Sequence, residues 1–433
     1  MAACFSLGAQ CQAMLDVEAA LAGVEASLGV IPDTAAAAIR AAARVEFYDT
    51  AAIASEARRA GNLAIPLVRH LTARVEASDP AAARYVHWGA TSQDIIDTGL
   101  VLQLRHAVPM VIADLGRAAD AAAGHARRHT NTLMPGRTWL QQATPITFGL
   151  KAAGWVDALD RVTRGLQAAL DTAAVLQLGG ASGTLAAFGD HGSSIADALG
   201  HALALPVPAM PWHAHRDRLA ALACALGVAA GTAGKVARDL GLMAQTEVSE
   251  AHEPAGETGG SSSMPQKQNP VRAAIAISAA VRAPGLVATM LSAMPQEHER
   301  GLGGWQAEWD TIRQLVVIAG DAAQAIAETL EMIVVDPLRM RANVDLTGGL
   351  VLAEAVAMRL APAMGKQEAH ALIERATRRA RDERRAFADI LAEDPTVAAI
   401  LDRSGIEAIL SPETYLGSAA AFVANVLARH GNT

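Results

Sequence analysis

Met14, Val17, Leu21, Val24 and Leu28 recur at intervals of three and four, the period of one helix face, and predict an amphipathic helix over Ala13 to Leu28. Gly29 and Pro32 mark its end. The same period predicts helices over about Pro32 to Arg44, Ile65 to Val75, Leu100 to His129 with Pro109 interrupting, Leu150 to Leu176, and Ser194 to Leu203. Arg218 to Glu250, Val271 to Met294 and Thr311 to Ile333 read as longer helices, the second kinked at Pro284. They are apolar almost all round, as helices buried on several sides are. Beyond Asp345-Leu346-Thr347-Gly348-Gly349 the pattern changes to shorter, more charged helices with turns at Pro362, Pro395, Gly405 and Pro412.

The helical period lapses where polar residues cluster. Around Gly89, Tyr85 to Thr98 gathers His87, Thr91, Ser92 and Asp94; Ser92 and Asp94 are potential caps for the helix that follows, and the Thr91 and Ser92 hydroxyls at its positive end suit a carboxylate. Pro135 to Gly149 reads as a second irregular cluster, in which the planar fork of Arg137 suits bidentate binding of a carboxylate, a surface arginine being the alternative. Gly259 to Pro270 breaks the pattern most sharply: glycines free the backbone, serines favour turns, prolines forbid helix, and Lys267 and Asn269 stand where order resumes. Such a loop aims N–H groups, hydroxyls and one full positive charge at an anion, although the composition alone also fits a surface linker. Pro295 to Trp309 is a fourth polar patch, holding Arg300 and two tryptophans. His213 and His215 are two residues apart, with no set of further ligands at metal spacing, so packing or substrate contact fits them better than a metal.

Composition narrows the classes. A chain of 433 residues exceeds one ordinary domain, and 52% hydrophobic residues with only 3% aromatics means cores built from Ala, Leu, Val and Ile, in which helices approach closely. A net charge of -8 argues against a nucleic-acid surface. Cys4, Cys11 and Cys224 form no CxxC pair, which fits a reducing compartment and inert thiols. Neither a signal peptide nor an apolar run of the roughly 20 residues a membrane span needs is apparent, and the expectation is a soluble cytoplasmic protein.

Gly260-Ser261-Ser262-Ser263-Met264-Pro265-Gln266-Lys267-Gln268-Asn269-Pro270 fits the pattern G-S-S-x-M-P-x-K-x-N-P at every fixed position. In this the chain resembles the fumarase/aspartase superfamily. Thr91-Ser92-Gln93-Asp94 and Gly136-Arg137-Thr138 with Gln141, Ala143 and Pro145 match its two other characteristic regions in order. The resemblance implies an all-α fold of three helical domains: residues 1–104, a central long-helix bundle over 105–344, and a small C-terminal domain over 345–433. It also implies a homotetramer whose sites are shared between subunits, with no cofactor, metal, nucleic acid or membrane involved.

Where fumarases and adenylosuccinate lyases carry a histidine after Gly-Arg-Thr, this chain has Trp139. Indole has no nitrogen that titrates near neutral pH and cannot replace a general acid. Tryptophan there resembles the superfamily's cycloisomerase branch, in which a carboxylate of the substrate itself adds to a double bond and no leaving group needs a proton. The implied substrate is a small tricarboxylate, a carboxymuconate closed to a lactone. By the same resemblance Ser261 transfers the proton, and Lys267 and Asn269 stabilise the intermediate. Arg137 and Arg300, with Thr91, Ser92, Thr138, Trp139 and Gln141, would hold the carboxylates, while His87 and His215 stand between binding and packing. A fumarate-releasing lyase fits the loop equally well but not Trp139, and a non-catalytic scaffold has no need of Ser261, Lys267, Asn269 and Thr91 together.

Overall fold

The computed structural model describes residues 1–254 and 259–431. Helices dominate. In chain order they are α1 (Leu7–Ser27), α2 (Asp33–Ala42), α3 (Thr50–Ala60), α4 (Ala64–Ser78), α5 (Ser92–Arg128), α6 (Phe148–Ala173), α7 (Gly192–Leu203), α8 (Asp217–Met243), α9 (Val271–Ala293) and α10 (Gly304–Met332). Shorter helices follow: α11 (Pro337–Asp345), α12 (Ala353–Met364), α13 (Lys366–Glu383), α14 (Phe387–Glu393), α15 (Pro395–Ala398), α16 (Arg403–Ile409) and α17 (Ala419–His430). Two antiparallel pairs complete the described residues, β1 (Leu133–Thr138) with β2 (Gln141–Thr147), and β3 (Ala251–His252) with β4 (Val334–Val335).

The chain forms two compact units, each discontinuous in sequence. The first takes Met1–Leu115, Val162–Gly234 and Ala276–Gln324, and the second takes Gly116–Arg161, Lys235–Ile275 and Ala325–Thr433. In the first unit a core of Met14, Leu15, Ile39, Ile53, Leu67, Leu71 and Ile95 closes over α1 to α5. In the second, Val356, Leu360, Leu372, Phe387, Leu391 and Val397 form the core of the C-terminal helices. Small residues set the approach of the long helices: a Cβ on Gly234 would stand 2.3 Å from the Ala280 side chain, so α8 and α9 touch backbone to side chain there.

Several elements differ from the sequence expectations, each for a physical reason. α3 was not expected, yet Asp49 caps it by accepting from the N–H groups of Ala51 and Ala52, at 3.0 and 3.1 Å, and Gly61 ends it at φ +86°. α5 begins at Ser92 and runs through Pro109 unbroken, because Ala107, Val108 and Val111 are fully buried and tertiary packing outweighs the proline's lost hydrogen bond. Pro135 to Gly149 is not irregular: it is a hairpin whose alternation is disguised by prolines that a two-stranded edge tolerates. α8 stops at Met243 rather than Glu250, since the chain must leave the helix to turn the Glu250 carboxylate inward, with Ser249 at φ +51°. Trp305 to Trp309 lies in the first turns of α10, and Pro362 and Gly405 lie inside helices rather than turns.

The expectation that no apolar stretch reaches membrane-spanning length is also corrected. By length and composition alone α5, α8 and α9 are each long and apolar enough to cross a bilayer. Most of the apolar window of α5 and of α8 is buried in the protein, but only 22% of that of α9 is, and Val271, Ile275, Val281 and Leu291 lie open on it.

Candidate active site

In the first unit the N-terminus of α5 organises the site. Asp94, fully buried in its first turn, accepts four hydrogen bonds. Oδ1 takes the N–H of Gly179 at 2.9 Å and Nε2–H of His213 at 2.7 Å; Oδ2 takes the N–H groups of Gly180 and Thr91 at 2.9 and 3.0 Å. One carboxylate thus ties the α5 terminus, the turn after Leu178 and the segment before α8, and it fixes the backbone of Thr91. Gln93, also buried, donates to the carbonyl of His213 at 2.9 Å and accepts from Nε of Arg300 at 2.9 Å. The second guanidinium arm of Arg300 reaches the carbonyl of Gly180 at 3.4 Å. Thr91 and Arg300, predicted from distant stretches, therefore belong to one network, and Ser92 is the first residue of α5 between Thr91 and Gln93. Gly89, at φ +69°, admits the ring of Phe188 where a Cβ would stand 2.5 Å away, seating the His87 segment against that turn.

His87 itself stands at φ +60°, its Nδ1 2.6 Å from Oε1 of the buried Glu18. Burial pulls the imidazole pKa down, but the Glu18 charge and hydrogen bond, with a further contribution from Asp94, outweigh it and hold the ring above its ordinary value. His215 is exposed, and its backbone pairs with Pro295, ahead of the Arg300 loop. Beneath α5, Arg216 is enclosed with Asp97 and Glu308. Its Nη1 and Nη2 donate to Asp97 at 2.6 and 3.1 Å, and Nε and Nη2 donate to Glu308 at 3.0 and 2.6 Å. Trp305 Nε1 adds a donor to Asp97 at 3.0 Å and Gln296 one to Glu308 at 3.0 Å. Burial still leaves the Glu308 carboxyl above its ordinary pKa, the Arg216 charge notwithstanding.

The second unit holds the other predicted residues. Arg137 projects from β1, and its fork is engaged by the Glu250 carboxylate, Nη1 at 2.9 Å and Nη2 at 2.6 Å. Asn343 donates to the same carboxylate at 2.8 Å. The two-residue tip of the hairpin is Trp139-Leu140, both at positive φ, 53° and 62°, where Asn-Gly is the usual choice. Trp139 is 97% exposed and Leu140 76%, with Thr138 and Gln141 exposed beside them. A cavity of about 510 Å³ under the tip is lined by Arg137, Trp139, Lys151 and Asp239, among others. Burial draws the Lys151 pKa down against the attraction of Asp239, with Lys235 and Arg137 lowering it further.

Gly259 to Pro270 is a closed loop. The N–H of Asn269 donates to the Gly259 carbonyl at 2.8 Å, and Gly260 bridges Gln268. Gly259 sits at φ +89°, and a Cβ there would meet the Asn269 carbonyl at 2.5 Å. Ser261 Oγ accepts from the N–H groups of Ser263 at 3.4 Å and Met264 at 3.2 Å. Donors on a hydroxyl oxygen favour its anion, the form a proton-transfer serine must reach. Lys267 is exposed on the same loop.

The family model described as Lyase matches residues 1–285, and that described as Adenylosuccinate lyase C-terminus matches residues 349–426. The chain belongs to the fumarase/aspartase superfamily. A superfamily relative from Pseudomonas aeruginosa, named 3-carboxy-cis,cis-muconate cycloisomerase, is 51% identical over 99% of this chain and 94% of its own length. The crystal structure of 3-carboxy-cis,cis-muconate lactonizing enzyme from Pseudomonas putida superposes with a TM-score of 0.93 at 47% identity, covering 99% of this chain and 96% of that one. A nitrosuccinate lyase from Streptomyces davaonensis is 43% identical over 95% of this chain and 88% of its own length. With relatives named cycloisomerase at about half identity over nearly its full length, the chain is an enzyme, an intramolecular lyase in type.

Sequence reasoning missed Glu18, Arg216, Glu250 and Glu308 as parts of the two networks and Lys151 as part of the cavity wall, whereas His213, read as packing or in substrate contact, is buried against Asp94. One signal was available for the first. Glu18 and Glu25 fall seven residues apart on the apolar face of α1 beside Leu21, and a charge on a buried face requires a partner.

Proposed function

We propose that this chain lactonises 3-carboxy-cis,cis-muconate to 4-carboxymuconolactone, within protocatechuate (beta-ketoadipate) catabolism in the cytoplasm. The observation that carries the reading is near-full-length identity of about half to relatives named for that reaction. It is joined to Trp139, at the position where the family resemblance puts the histidine of fumarases and adenylosuccinate lyases. A substrate carboxylate oxygen forms a bond to the conjugated alkene, the alkene electrons move into the conjugated carboxylate, and the carbon then takes a proton. No atom is lost. Lys267 and Asn269 offset the charge of the resulting aci-carboxylate, and Ser261 carries the proton. Arg137 and Arg300, with Thr91, Ser92, Thr138, Trp139 and Gln141, seat the three carboxylates, and His87 and His215 border them.

In this reading the Arg137 fork exchanges part of its hold on Glu250 for substrate. The exposed apolar side chains of α9 and the strained, solvent-facing Trp139-Leu140 tip support a homotetramer with sites shared between subunits, since such surfaces are covered in an obligate assembly. Three domains, 1–104, 105–344 and 345–433, are supported at either end by the two separate cores.

The deciding assay offers the purified protein 3-carboxy-cis,cis-muconate, adenylosuccinate and nitrosuccinate in turn. Loss of the conjugated-diene absorbance with the first, and no release of fumarate from the others, is the expected result. Faster elimination than cyclisation overturns the proposal.

A further inference from the structure

The first unit contains a cavity of about 440 Å³ that none of the residues assigned to the reaction lines. Its wall comes from α1, α3, α5 and α10. Met14, Leu63, Ile96, Leu100 and Trp309 give it an apolar body, and Arg58 and Arg313 supply cationic groups. Small-molecule sites fall in this size range and share this make-up, an apolar lining with a few convergent polar groups.

Arg313 is the informative residue. Its side chain is 14% exposed, yet the acidic group beside it is Asp310 Oδ1 at 3.9 Å, beyond hydrogen-bond distance and on a side chain that is 89% exposed. Nε of Arg313 and Nε1 of Trp309 are both buried without a hydrogen-bond partner among the described residues. Burial pushes the Arg313 guanidinium down to about 10, Asp310 offsetting only part, so it remains charged at neutral pH. A folded protein rarely leaves a guanidinium N–H and a neighbouring indole N–H buried and unsatisfied on one cavity wall, since each of those groups loses its hydration without compensation. Arg216, more fully enclosed in the same unit, has two carboxylates.

We propose that this cavity is a binding site for a small carboxylate with a compact apolar body, the carboxylate pairing with Arg313 and accepting from Trp309 Nε1 while the apolar part rests on Met14, Ile96 and Leu100. Arg58, exposed at the rim, draws the anion in. Asp310, on the solvent side, disfavours ligands with a second charge directed outward.

The test is calorimetric titration of the intact protein with benzoate, with its neutral analogue benzyl alcohol, and with acetate, intrinsic tryptophan fluorescence serving as a second readout. Benzoate is expected to saturate, and benzyl alcohol and acetate to bind at least tenfold more weakly, because one lacks the charge and the other the apolar body. Arg313→Gln should weaken benzoate tenfold or more. Ala57→Phe, which fills the cavity from its partly exposed α3 wall and leaves Arg313 intact, should do the same, so the proposal stays testable if Arg313→Gln folds poorly. Arg300→Ala should leave benzoate binding unchanged. No saturable binding by the unaltered protein overturns the proposal, as does benzoate binding that survives both cavity variants and disappears in Arg300→Ala. Arg313→Gln that changes the oligomeric state, with no benzoate binding by the unaltered protein, would assign the guanidinium to a subunit contact instead.

Discussion

Asp94→Asn removes one charge and one acceptor from the centre of the α5 terminus. Its carboxylate takes two donors on each oxygen. An asparagine keeps one carbonyl oxygen and turns an NH2 group toward the other pair. If the oxygen stays with Gly179 and His213, the N–H groups of Gly180 and Thr91 face a donor. Hydrogen bonds to a charged group contribute about 1.5–3 kcal/mol each, so losing two costs about 3–6 kcal/mol. That is a large part of the roughly 5–15 kcal/mol that holds a typical domain folded. The functional effect follows from the same geometry: with Thr91 and Gly180 released, the threonine N–H and the Arg300 contact to Gly180 lose their positions. The expected enzyme is less stable in urea and has KM for carboxymuconate raised at least tenfold, with a smaller change in kcat, because Asp94 positions binding groups and does not touch the reacting atoms. His213→Gln, which can still donate to Oδ1, should retain most of the binding. Stability within 1 kcal/mol of the parent together with an unchanged KM would refute the view that Asp94 assembles this half of the site.

Other outcomes follow from the same structure. Lys267→Met should lower kcat by about a hundredfold to a thousandfold, the effect of removing one donor from a developing oxyanion, and near-full activity would remove lysine from the mechanism. Arg216→Leu leaves Asp97 and Glu308 as unpaired buried carboxylates and should cost about 3–5 kcal/mol in denaturant unfolding, much of it regained when Asp97→Asn and Glu308→Gln are added. Glu25 is pushed up to about 8 by burial, with Glu18 adding to it, from an ordinary 4.5. The folded state therefore keeps a proton the unfolded state has lost, and stability from this group declines by about 1.4 kcal/mol per unit as pH rises between those values. Glu25→Gln should flatten that slope; an identical pH profile would show that Glu25 is ionised in the fold. Trp139→Asn with Leu140→Gly relieves two left-handed residues but removes the apolar tip that the proposed assembly covers, so it should reduce lactonisation in the diene assay and shift gel filtration toward smaller species; an unchanged tetramer would take the tip out of the interface.

Local chemistry made much of this protein legible in its sequence. Helical period located most of the long helices, because a buried face must repeat with the turn of the helix. Gly259 to Pro270 announced its loop, since Gly259 must reach φ +89° and lie against the Asn269 carbonyl. Trp139 could be read for its chemistry because the absence of a titrating nitrogen is a property of one side chain. Burial of the thiol pushes Cys11 up to about 11, consistent with the inert cysteine its spacing implied.

What the sequence could not supply was pairing at a distance. Arg137 reads as a free carboxylate binder until Glu250, 113 residues on, is seen gripping it. Asp94 reads as a helix cap until Gly179 and His213 arrive from 85 and 119 residues away. Pro109 and the turn after Met243 were misjudged for the same reason: local propensity contributes about a few kcal/mol at most, and the burial of neighbours from remote segments outweighs it. A residue's type determines what it can bind; only the tertiary fold decides which partner it holds, because the energy of a buried charge depends on groups brought to it by the folded chain.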